Sequence, residues 1–191
     1  MTLPPTRPRI RLHTRKFSYE CFLRDDGLWD IDAELSDVKD YDYQLHANLR
    51  TAQEPIHQMR LRLTVDDSLT IRALVSTTLH APFPQCDRPN ESMPRMAGVQ
   101  IGRGWRSEIE KRLGGTRGCT HLRDLLLNAG TAAIQSISAH AQHLERTGQK
   151  PYPPMHELPP FLDKCMTWSL QGDAVKQYMP TFFTAAPAKA D

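Results

Sequence analysis

Trp29-Asp30-Ile31-Asp32-Ala33-Glu34-Leu35 is the stretch that decides the fold. In an extended chain Trp29, Ile31, Ala33 and Leu35 share one side, and Asp30, Asp32 and Glu34 take the other. Strict alternation of this kind marks an antiparallel strand with one face packed and one face wet. Immediately before it, Asp25-Asp26-Gly27 reads as a hairpin turn. That turn implies a preceding strand, expected to begin near Lys16, with Phe17, Tyr19 and Cys21 on one face. The pattern returns downstream, where Met59, Leu61, Leu63 and Val65 alternate with Arg60, Arg62 and Thr64. Asp66-Asp67-Ser68 then turns the chain, and residues 69–77 run back. Two antiparallel hairpins make the expected sheet.

The acidic residues between Asp25 and Asp42 are expected to lie on the wet face of the alternating strand. There they would face the basic first strand across the hairpin, each pair worth a few tenths of a kcal/mol. Asp37, Asp40 and Asp42 fall beyond the expected strand end and gain no role from this pattern.

Helical spacing takes over further on. Trp105, Ile109 and Leu113 recur every four residues and predict a helix over 104–113. Leu122, Leu125, Leu126, Ala129, Ala133, Ile137, Ala141 and Leu144 trace the buried stripe of a long helix over 120–145, with Thr120 as its N-cap. Between sheet and helices, Pro82, Pro84 and Pro89 make a loop that carries Cys86. After Gly148 come seven of the fifteen prolines, together with Phe161, Trp168, Phe182 and Phe183. The expected fold is α+β: an antiparallel sheet from two hairpins, packed with one short and one long helix. Its expected organisation is an extended arm over 1–15, a single domain over 16–147, and a proline-rich aromatic tail over 148–191. That tail would dock on the domain or on a protein partner.

The 24 basic and 22 acidic residues nearly cancel, which argues against a nucleic-acid binder with its basic stripe. No apolar run approaches the ~20 residues of a membrane span. The start of the chain lacks a signal-peptide core, so a cytoplasmic location is expected. There Cys21, Cys86, Cys119 and Cys165 would be thiols or ligands.

Chemistry concentrates in Gly114-Gly-Thr-Arg-Gly-Cys119-Thr-His121-Leu, where a glycine-rich turn meets the long helix. The unpaired N–H groups and positive dipole end of a helix start favour a thiolate. Cys119 and His121 are the expected first half of a metal site. Cys86, in a loop after a strand, and His57, at a strand entry, are the expected other half. Two thiolates and two imidazoles suit tetrahedral zinc, or iron. Arg15 and Arg106 are weaker candidates for holding an anionic substrate. No residue is assigned a catalytic role from the sequence alone. His140 and His143, late on the long helix, and Cys21 and Cys165 are read as structural.

Met59-Arg-Leu-Arg-Leu-Thr-Val-Asp-Asp67 and Gly118-Cys-Thr-His-Leu-Arg-Asp-Leu-Leu-Leu-Asn-Ala-Gly130 resemble stretches of the iron–sulfur scaffold proteins of the IscU and NifU amino-terminal type. The resemblance covers residues 55–145. It implies an α+β domain presenting cysteines, an aspartate and a histidine, with Cys86 at the loop cysteine and His57 where an aspartate falls. Pro55 stands near the first scaffold cysteine, and Cys119-Thr-His121 replaces the histidine–cysteine doublet. With two thiolates left, a mononuclear ion is expected in place of a cluster. Across the whole chain, Leu12-His-Thr-Arg15, Arg24-Asp-Asp-Gly-Leu-Trp29, Ala81-Pro-Phe-Pro-Gln-Cys86 and Gly118-Cys-Thr-His-Leu122 resemble a bacterial family of unknown function.

Three functions fit these residues. The first is a metal-binding accessory or scaffold-like protein holding zinc or iron at His57, Cys86, Cys119 and His121. The second is a small metal-dependent enzyme of lyase, hydrolase or isomerase type, acting on a small acidic substrate. The third is an interaction module that works through the tail.

Overall fold

The computed structural model describes residues 3–45, 48–149, 158–159 and 161–185. Strand β1 (His13–Leu23) turns through Arg24–Leu28 into β2 (Trp29–Lys39). A small hairpin comes next, β3 (Tyr43–Leu45) with β4 (Asn48–Arg50), and then the second long hairpin, β5 (Pro55–Val65) with β6 (Ile71–His80). The four long strands form one antiparallel sheet in the order β1-β2-β5-β6. Helix α1 covers Trp105–Leu113, α2 covers Thr120–Arg146 and α3 covers Asp173–Tyr178. The architecture is α+β.

The alternation seen in the sequence becomes the two faces of this sheet. Trp29, Ile31, Ala33 and Leu35 are buried, as are Met59, Leu61, Leu63 and Val65 directly opposite. On the outer face the acids of β2 meet β5, not the basic first strand. Arg62 lies opposite Asp32 and donates to both of its oxygens at 2.6 and 2.7 Å. Arg60 and Gln58 both donate to Glu34, and Thr64 donates to Asp30. The central strand pair supplies the cations because Arg60 and Arg62 stand directly across from the acids.

Strand β2 runs further than its alternating core suggests, through Lys39, so Asp37 lies inside the strand. Strand β1 likewise starts earlier than Lys16, at His13. The loop after β6 winds into a 3-10 segment, Pro84–Met96, which buries Met93 and Met96. Leu122, Leu125, Leu126, Ala129 and Ala133 of α2 are buried. The inner face of the sheet meets α2 at both ends: Cys21 Sγ lies 3.8 Å from the Ala132 carbonyl, and the His57 ring lies against that of His121. Each fully buried leucine there contributes about 1.5–3 kcal/mol. Trp105 ties α1 to α2, its indole N–H donating to the Leu127 carbonyl at 3.2 Å.

The chain divides into two compact units, Met1–Ala133 and Ile134–Asp191, with the boundary inside α2. The first holds the sheet, α1 and the start of α2. In the second, Phe161 and Trp168 meet edge to face at 5.3 Å, and Lys176 lies over the ring of Phe183. Of the tail expected over 148–191, residues 150–157, 160 and 186–191 lie outside the described residues. Among the described residues no helix is long and apolar enough to cross a membrane.

Candidate metal centre

At one end of the inner sheet face the apolar rows give way to a polar one. Arg15, Asp37 and His57 are direct cross-strand partners on β1, β2 and β5. They continue the parity of Phe17, Leu35 and Met59, so all three side chains point to the helix side of the sheet. A bulge between Asp37 and Val38 interrupts the β2–β5 ladder just beyond them. Asp37 is only 2 % exposed, in a position the alternation reserves for an apolar residue.

A buried carboxylate survives only with partners, and Asp37 has Arg15, His13 and His57. Arg15 donates through Nε to Oδ1 at 2.7 Å and through Nη2 to Oδ2 at 2.6 Å. His13 Nε2 lies 3.1 Å from Oδ1, and His57 Nδ1 lies 3.1 Å from Oδ2. Every lone-pair direction of the carboxylate is used. Burial pushes the Asp37 carboxyl up, but the hydrogen bonds and charge of Arg15, with help from His57 and His13, hold it below its ordinary value. It is an anion at neutral pH, and because it only accepts, Nδ1 carries the proton in its contact with His57.

The start of α2 brings the second half of the site. Gly118 is fully extended, and a Cβ there would stand 2.5 Å from the Leu113 carbonyl oxygen. A larger residue would push the chain off the end of α1 and displace Cys119 and His121. Cys119, not Thr120, occupies the N-cap: α2 begins at Thr120, and the Cys119 carbonyl accepts from Arg123 N–H at 3.0 Å. Burial pushes the Cys119 thiol up. The His121 ring and the N–H groups of Leu122 and His121 outweigh that and bring it below the ordinary thiol value. His121 Nδ1 lies 3.7 Å from Sγ. From the first turn, His121 reaches the sheet, where its ring centroid is 4.1 Å from that of His57 with a 37° tilt. Burial, and then the neighbouring His121, push His57 below its ordinary value despite Asp37, so His57 is a neutral imidazole at pH 7.

One ligand-type atom from each of Asp37, His57 and His121 falls in a group whose members all lie within 4.8 Å of one another. Of the four expected ligands, His57 and His121 are thus brought together from β5 and α2. Cys119 stands outside that group but against His121. Cys86 also stands outside it, in the 3-10 segment, where Thr78 donates to its carbonyl. Arg15 joins the site through Asp37; Arg106 lies on the exposed face of α1. Sequence reasoning gave Asp37 no role and read His13, which flanks the first strand with Arg15, as a residue for surface solvation. Carrying the Trp29–Leu35 alternation one step further would have found Asp37, since 37 shares the parity of the buried positions.

The polar row and helix start define an α+β protein with a part-buried Asp/His/His cluster beside a capping thiol. The chain belongs to the family described as "Protein of unknown function (DUF2889)", whose model matches residues 13–135 and so spans the whole cluster. No curated protein and no solved structure matches the chain.

Proposed function

We propose that this protein binds a single divalent transition-metal ion, zinc or iron, at Asp37, His57 and His121. One observation carries the reading: three ligand-type side chains from β2, β5 and α2, far apart in sequence, gather within 4.8 Å. The 3.1 Å between Asp37 Oδ2 and His57 Nδ1 also suits two atoms bound to one ion, because ligands bonded at ~2.0–2.2 Å stand about 2.8–3.6 Å apart between octahedral and tetrahedral angles. Such an ion takes the place of the proton that bridges these two atoms. Arg15 and His13 then hold the carboxylate from behind, as outer partners of metal ligands do.

Two imidazoles with one carboxylate suit zinc or iron(II) and leave coordination positions open. Cys119 is the candidate for a fourth ligand. Its 3.7 Å from His121 Nδ1 is close to the ~3.6 Å expected between sulfur and nitrogen on a tetrahedral zinc. The nitrogen- and oxygen-rich group favours a mononuclear ion over the cluster that the scaffold resemblance suggests. An enzyme is the second reading, favoured by the count of three gathered ligands. An open position lets solvent bind and act as hydroxide or as a site for substrate.

Elemental analysis of protein purified without chelator tests the proposal. One equivalent of zinc or iron in the parent, lost in His57→Ala and His121→Ala, is the expected result. A folded parent that holds no metal, and takes none up from excess zinc, contradicts it.

A further inference from the structure

We infer that a coordination position left open by the three gathered ligands, Asp37, His57 and His121, takes a small carboxylate in place of the Cys119 thiolate, with Arg15 as its second anchor. This rests on the metal reading above. Arg15 meets Asp37 through Nε and Nη2, which leaves the two N–H groups of Nη1 for another partner. Its side chain is 36 % exposed, and that of His13 beside it is 38 % exposed, so the rim of the site opens to solvent on the β1 side. His57, by contrast, is 18 % exposed, and Asp37 is sealed beneath both.

Charge fixes the sign of the ligand. A divalent ion and Arg15 bring three positive charges against the negative charge of Asp37 and, where its thiolate forms, that of Cys119 beside His121. Asp124, which faces Arg15 from α2, is an exposed residue whose field is screened by water. The surplus is positive and attracts an anion. A planar carboxylate fits best, because one oxygen can bind the ion while the other accepts from the guanidinium edge.

The test uses the full chain loaded with cobalt(II), whose visible spectrum reports its ligands. Malonate is titrated against the loaded protein, with the neutral malonamide and with inorganic phosphate as comparison arms. A saturable spectral change with malonate, absent with malonamide, is expected. In Arg15→Gln, checked for one bound cobalt, malonate affinity should fall by about tenfold or more, the usual loss for a charge-assisted hydrogen bond. An unmoved spectrum with malonate overturns the inference, as does an equal response to malonamide. A response confined to phosphate overturns the choice of carboxylate. Unchanged malonate affinity in Arg15→Gln removes Arg15 as the anchor. Failure of the protein to take up cobalt at all is a different result: it defeats the metal reading itself.

Discussion

Asp37 and His57 face each other across β2 and β5, with Oδ2 and Nδ1 3.1 Å apart, where the apolar inner face of the sheet ends. The pair is buried on its carboxylate side and closed by a histidine from α2 on the other. A charged row in a core position costs stability unless it is fully partnered, and here Arg15 and His13 complete it.

Asp37→Asn keeps the shape and removes the charge. Arg15 then faces a neutral amide whose NH2 group cannot accept its second N–H. Breaking a buried pair costs about 3–5 kcal/mol, and the partial exposure of Arg15 places this one near the lower figure. Urea unfolding of the metal-free protein measures it; a loss below about 1 kcal/mol, the range of an exposed pair, contradicts the burial argument.

Gly130 sits inside α2, where alanine would ordinarily stabilise by about 1 kcal/mol. A Cβ at this position stands 2.5 Å from Trp105 Nε1 and 2.9 Å from its Cε2. The indole is buried and held by its bond to Leu127, so it has little room to yield. Gly130→Ala should therefore destabilise the protein by about 1–3 kcal/mol, as overpacking does. An increase in thermal stability would show that the α1–α2 contact is looser than this.

On the outer face, the Arg62 hydrogen bonds hold the Asp32 carboxyl below its ordinary value. A depressed carboxyl contributes stability that is fully present above its unfolded value, about 3.9, and is lost as pH falls through the folded one. Both partners are substantially exposed, so the contribution is about 0.2–1 kcal/mol. The stability difference between the parent and Asp32→Asn should accordingly persist from pH 7 to about pH 4 and vanish below it. A difference that grows on acidification has the wrong sign.

Cys119→Ser separates a ligand from a cap. A serine oxygen also accepts from the first-turn N–H groups, so the helix start survives. If the thiolate binds the ion, the cobalt protein shows a near-ultraviolet sulfur-to-cobalt band that Cys119→Ser abolishes. The same spectrum in parent and variant would leave Cys119 as a helix cap alone.

The sheet was legible because both long hairpins alternate with period two and turn at Asp-Gly and Asp-Asp-Ser. The long helix was legible because its leucine and alanine stripe runs from Leu122 to Leu144. Half of the site was legible as well: Cys119 and His121 lie at a turn-to-helix junction, and His57 at a strand start. Asp37 was overlooked because its charge marked the end of the apolar row, although its parity with Ile31, Ala33 and Leu35 places it on the inner face. Its burial depends on Arg15 arriving from β1 and His57 from β5. The β3–β4 hairpin, three residues a side, is too short to show a period. The 3-10 segment hides behind its prolines, which suggest a loop.

Anomalous scattering from crystals of the protein purified without chelator, recorded across the zinc and iron edges, bears most directly on the centre. A single peak bonded to Asp37, His57 and His121 at about 2.0–2.2 Å is the expected result. Ordered side chains at these positions with no anomalous peak between them, after soaking in zinc, would contradict it.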